Sequence, residues 1–280
     1  MRREVVLFAL VLSTGLFVGC DDDGGPSDIT LADLVGAWIG EEFKFTNQQN
    51  PAESIDFVAA GAVVTMTVAG NGRYTAALAN PFGSGADFLK GALLVEEGVL
   101  LMTNDEEPGE TAAFSVQLSG DMLTIFSDEV DYDFDVPPDG TNEPADLLGV
   151  FRFATGLTAA DLAGTWEATE FRFVSSPTPT DTIDVIASGG GLSATVQADA
   201  SYELTLILPP ELPEIHYGVV LLFGDMIVLI DEVDPDGSAR FEYGLTGQTI
   251  TLRGEDSIDF NDPPDEIDDP AVVEIVMELQ

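Results

Sequence analysis

The chain is predicted to be all-β, built as two tandem antiparallel up-and-down β-barrels behind an N-terminal signal peptide. Three observations predict this. The first is a duplication: residues 30–74 align with 158–202 at a constant offset of 128, with 17 of 45 positions identical and no gap. Repetition on this scale marks two copies of one domain-sized unit. The second is punctuation. Short β-rich runs such as "YTAALA", "VLLMTN", "MLTIFSD" and "GVFRFA" are separated by Asn71-Gly72, "EEPGE" and Gly120-Asp121, and the second half repeats the scheme in "SYELTLIL", "MIVLID" and "TITLRG". Such spacing belongs to a meander of hairpin-linked strands. The third is that no long amphipathic helical pattern occurs after the first 19 residues.

In chain order, residues 1–19 read as a signal peptide. "MRREVVLFALVLSTGLFVG" has two arginines, an apolar run too short for a comfortable membrane span, and small residues before Cys20. Phe17-Val18-Gly19-Cys20 resembles the lipobox of bacterial lipoproteins. That resemblance implies an acylated Cys20 as the membrane anchor, a lipid bilayer as the first partner, and a place in the bacterial envelope, on the extracytoplasmic side of either the inner or the outer membrane. Cys20 is the only cysteine, so a lipidated Cys20 would leave no thiol for disulfides or catalysis. Residues 20–29, "CDDDGGPSDI", form an acidic tether.

Residues 30–155 and 156–280 are the two barrels. Each opens on a Thr three residues before an Asp (Thr30/Asp33 and Thr158/Asp161), close to the capping-box spacing, and a glycine follows where a helical turn would end. A single turn therefore delivers the chain into the first strand. The phrases "DLVGAW" (33–38) and "DLAGTW" (161–166) hold the only two tryptophans. The capped turn and Gly-x-Trp on the first strand resemble the lipocalin family and its bacterial relatives, on the residues Gly36-Ala37-Trp38 and Gly164-Thr165-Trp166. The resemblance implies an eight-stranded barrel whose Trp38 or Trp166 plugs the closed end beneath an arginine of the last strand, with a cavity for an apolar ligand. Arg152 is placed for that covering role in the first unit; the second unit has Glu278 at the matching position and departs from the pattern.

Whether each barrel is hollow or filled by its own side chains stays open, since eight strands allow either. A small apolar ligand and a purely structural or protein-interaction role are thus both compatible with the sequence. A dry interior of roughly 300 Å³ or more would favour the first. A specific protein partner is not legible.

Charge narrows the field. With 51 acidic and 9 basic residues the net charge is −42, which excludes nucleic acid, whose binding needs clustered Lys and Arg. Two cations recur at one place, Lys44 in "EFKF" and Arg172 in "EFRF". Strict alternation from Trp38 puts Lys44 inside the barrel, where it would meet a ligand carboxylate. Inward-facing Phe43 and Phe45 put it outside, paired with acidic neighbours, and hydrophobic facing favours that second arrangement. The duplicated "DFDVPPD" and "DFNDPPD" loops, with Asp133, Asp135, Asp259 and Asp262, offer weak oxygen donors for calcium, but the spacing matches no EF-hand, and solvated acidic loops are the better reading. No metal and no cofactor is expected. His216 is the only histidine, no Gly-x-Ser-x-Gly or phosphate-binding loop occurs, and the chain is not expected to be an enzyme.

Overall fold

The computed structural model describes residues 29–79, 86–107, 109–134, 140–210, 212–233, 238–258 and 269–280. Cys20, the signal peptide, most of the tether, Asp135, Asp259 and Asp262 lie outside these residues. The chain is two closed antiparallel eight-stranded β-barrels in tandem, and apart from Phe82–Phe88 its two compact units divide at Thr155 and Gly156.

In the first unit the helical turn α1 (Leu31–Leu34) is followed by β1 (Gly36–Asn47), β2 (Ser54–Asp56), β3 (Val63–Val68), β4 (Arg73–Ala79), β5 (Ala86–Glu96), β6 (Val99–Asn104), β7 (Thr111–Ser119), β8 (Met122–Tyr132) and β9 (Glu143–Phe153). The second unit runs from a 3₁₀ turn (Ala159–Leu162) through β10 (Gly164–Ser175), β11 (Thr182–Asp184), β12 (Gly191–Val196), β13 (Ser201–Ile207), β14 (Glu214–Phe223), β15 (Met226–Asp231), β16 (Ala239–Thr246), β17 (Thr249–Ile258) and β18 (Asp269–Leu279). Each strand pairs with the next except that the short β2 and β11 flank the first strands, and closure comes from β1 on β9 and β10 on β18. Closing the sheet removes the exposed edges that Val- and Leu-rich strands would otherwise present.

The expected turn is present in both copies. The amide and hydroxyl of Thr30 donate to the Asp33 carboxylate at 2.9 and 2.7 Å, and those of Thr158 to Asp161 at 2.7 Å each. The turn is then tied to the barrel by the tryptophan. The indole N–H of Trp38 donates to the carbonyl of Leu34 at 2.8 Å, and that of Trp166 to Leu162 at 2.8 Å. Each bond satisfies a carbonyl that a helix end leaves open and gives the buried indole its partner.

The glycine of Gly-x-Trp has two reasons to be glycine. Gly36 and Gly164 hold φ of +133° and +145°. A Cβ on Gly36 would also lie 2.5 Å from the Phe153 ring, and one on Gly164 2.5 Å from Leu279 Cδ1.

A β-bulge settles which way β1 faces. Register slips between Gly40 and Glu42, and again between Ala168 and Glu170. One extra residue reverses the alternation, so Trp38 and Phe45 both point inward, as do Trp166, Phe171 and Phe173, and all five are buried.

Replacing Trp38 or Trp166 with Ala should cost its own unit ~3–5 kcal/mol, the usual cost of deleting a buried large aromatic. Calorimetry should show two transitions with one displaced in each variant; one transition moved equally by both would mean a single cooperative β-structure.

Candidate functional site

The two interiors start from the same plan and diverge at a handful of positions. In the first barrel, Phe43, Phe45, Phe57, Tyr132 and Phe151 fill the space beyond Trp38. Tyr132 stacks on Phe45 at a centroid distance of 4.6 Å, and Phe43 meets Phe45 at 5.7 Å and Phe151 at 6.3 Å. In the second barrel the positions of Phe57 and Phe151 hold Val185 and Met277. The match is structural: Phe57 and Val185 each donate a backbone bond to the carbonyl of the equivalent phenylalanine (Phe43, Phe171) at 2.9 Å, and Phe151 and Met277 pair with Gly40 and Ala168 ahead of the bulge. Tyr132 is matched by Ile258, so three of the five rings have no counterpart, and this barrel holds an open cavity of about 1080 Å³, lined by Trp166, Phe171, Phe173, Leu204, Ile250 and Met277 among others.

One sector of this wall is polar. Across three adjacent strands Tyr202 pairs with Gly218 and Gly218 with Asp231. Gly218 is glycine because a Cβ there would lie 1.9 Å from the carbonyl oxygen of Ile230 and 3.0 Å from the Tyr202 ring, and Gly91 stands in the same relation to Thr103 and Tyr74. The tyrosine ring thus lies flat across a glycine in both barrels. In the first barrel the Tyr74 hydroxyl donates to the Thr103 carbonyl at 3.2 Å. In the second, Tyr202 is 6% exposed and its hydroxyl has no hydrogen-bond partner among the described residues.

His216 shares the sector. Its Nδ1 lies 2.8 Å from Asp231 Oδ2 and its Nε2 3.6 Å from Glu214, while Asp231 Oδ1 accepts the Val233 amide at 2.7 Å. The first barrel has Leu89 at the position of His216 and Asn104 at that of Asp231. Val130, buried in the first core, becomes Asp256 on the cavity wall: Val130 pairs with Ala145 and Asp256 with its equivalent, Ala271. Burial, and secondly the charge of Asp231, push the Tyr202 phenol well above its ordinary pKa.

The positions expected from sequence fare unequally. Trp38 and Trp166 are buried and bonded to the turns that precede them. Arg152 does not cover Trp38: it pairs across β1 with Ile39, points outward and salt-bridges Glu41. Strand alternation gives the covering place to the next residue, Phe153, whose ring meets Trp38 edge-on at 5.0 Å, and Leu279 pairs with Trp166 in the second unit. Lys44 and Arg172 are outside the barrels, because the bulge turns Phe43, Phe45 and their counterparts inward. Arg172 pairs with Glu170 at 3.0 Å and Glu274 at 3.2 Å, and Lys44 sits opposite Asp56 and Leu148. Neither reaches a cavity ligand. Asp133 is buried and accepts the Gly140 amide at 2.8 Å. No cluster of three or more metal-ligating side chains occurs among the described residues.

No protein-family model matches the chain, and no curated protein does. Among solved structures it is similar to a protein of unknown function from the DUF3598 family of Nostoc punctiforme, at 12% identity, covering 88% of this chain and 96% of that one with a TM-score of 0.25.

Burial raises the Tyr74 phenol to about 12 from the ordinary 10.0. The unfolded phenol ionises near pH 10 while the folded one keeps its proton to about pH 12, so the stabilisation is complete below pH 10 and is lost as pH rises through that window. Alkaline unfolding followed by near-ultraviolet absorbance should show this loss, and Tyr74→Phe should remove its share from the first unit.

Proposed function

We propose that this chain is a lipid-anchored envelope protein that acts by binding, its second barrel holding a small apolar ligand. The observation that carries the reading is the cavity of about 1080 Å³ in that barrel, at the upper end of small-molecule sites, which run from ~300 to ~1,000 Å³. It is lined mainly by Leu, Ile, Phe and Met side chains, and burial of a ligand's apolar surface against them supplies about 25 cal/mol per Å² before the costs of association. The structural role left open by the sequence suits the first barrel, where aromatic rings occupy the corresponding space. Anchoring through Cys20 rests on the lipobox resemblance and on the tether that follows it.

The pocket is tested by giving the second barrel a residue of the first. Met277→Phe, which restores Phe151 of the first barrel on the cavity wall, should lower the affinity for the uncharged fluorophore N-phenyl-1-naphthylamine at least about tenfold, or 1.4 kcal/mol, while thermal stability is kept or raised. Unchanged affinity would place binding elsewhere. The anchor is tested separately: Cys20→Ala should move the protein from the membrane fraction to the soluble one, whereas retention after a high-salt wash would contradict lipidation.

A further inference from the structure

The second cavity is not uniformly apolar: His216, Asp231 and Asp256 stand on its wall where the first barrel has Leu89, Asn104 and Val130. Tyr202 is retained, but the hydroxyl that its counterpart satisfies on a carbonyl has no partner among the described residues. A buried polar group without a partner costs on the order of 1–3 kcal/mol unless something bonds it, and Tyr202 lines the open cavity. Beside Tyr202 stands Asp231, whose side chain is 17% exposed and is fixed by His216 and the Val233 amide. Among the charged lining residues the carboxylates Asp231, Glu242, Glu255 and Asp256 outnumber Arg240 and Arg253, and the chain as a whole carries −42. An anionic head group would meet this field unfavourably, and a cationic one favourably.

We infer that Tyr202 and Asp231, with His216 holding Asp231, form a head-group subsite that selects an amphipathic amine: a ligand whose alkyl body fills the floor of the second barrel and whose primary ammonium group is bonded at the polar wall. An ammonium group carries three donors and no acceptor. The Asp231 carboxylate and the Tyr202 oxygen can both accept from it, and hydrogen bonds of this charge-assisted kind are the stronger class. The inference rests on the second barrel being a ligand pocket and adds the chemistry of what it takes.

The experiment is displacement of N-phenyl-1-naphthylamine from the full mature chain at neutral pH by dodecylamine, dodecanol and dodecanoate, each at submicellar concentration. One alkyl body with three heads isolates the subsite. Dodecylamine should bind roughly ten- to a hundred-fold more tightly than dodecanol, and dodecanoate most weakly. Asp231→Asn restores the residue of the first barrel (Asn104), so the fold has precedent for it. That variant should abolish the amine's advantage and leave dodecanol unchanged, and Tyr202→Phe should weaken dodecylamine more than dodecanol. Equal binding of amine and alcohol, tighter binding of dodecanoate, or an amine preference that survives Asp231→Asn overturns the subsite while the pocket stands. Failure of the fluorophore and all three compounds to bind overturns the pocket and the subsite together.

Discussion

Each barrel depends on one hydrogen bond, from the indole N–H of a buried tryptophan to the last carbonyl of the turn before it. The bond fixes several things together. It gives the turn a place over the barrel end, gives the indole a partner in an apolar interior, and sets the point at which the first strand starts. Gly36 and Gly164 follow from it, because the strand can begin there only with a backbone that most residues avoid and with Phe153 or Leu279 pressed against it. The Thr–Asp pair that opens the turn supports the same assembly from outside. Hydrogen bonds from the Thr30 hydroxyl and amide hold the Asp33 carboxyl below its ordinary pKa, so it stays ionised where the turn needs an acceptor.

The bulge after Gly40 and Ala168 is the second constraint. Without it the tryptophan and the two phenylalanines of β1 could not share one interior, and the cation between the phenylalanines would be inside. With it, the inner surface of β1 is continuous from the closed end toward the mouth, and Lys44 and Arg172 join the acidic outer face. The bulge also sets the position at which Phe151 or Met277 meets the first strand, so the residue that decides how much space remains is placed by the same irregularity.

The duplication makes the sequence readable to a certain depth. The turn, the meander, the tandem units and the burial of both tryptophans are legible because identical residues recur at a fixed offset and because strand punctuation is local. Three things were not. The bulge inserts one residue with no compositional mark, so alternation counted from Trp38 misplaces Lys44, and only the hydrophobic facing of Phe43 and Phe45 indicates the parity past Gly40. The displacement of Arg152 by Phe153 is a matter of one position of alternation at a barrel rim, where an arginine beside a tryptophan invites the wrong pairing. The polar sector was present as a signal but lay in differences: Leu89 against His216, Asn104 against Asp231, Val130 against Asp256. Attention to identities finds the scaffold, and attention to the positions where the copies disagree finds the candidate site. His216 taken alone is a single histidine. Set against Leu89, it is a polar group placed where the sister barrel packs carbon.

The account turns on the claim that one scaffold is packed with rings in its first copy and open in its second. Crystals of the mature chain under xenon pressure measure this directly, since xenon enters apolar voids and is visible by its scattering. Xenon should occupy the second barrel between Phe171, Leu204, Ile250 and Met277, and should be absent where Phe57 and Phe151 stand in the first. Xenon missing from the second barrel, or present to the same extent in both, would contradict the account.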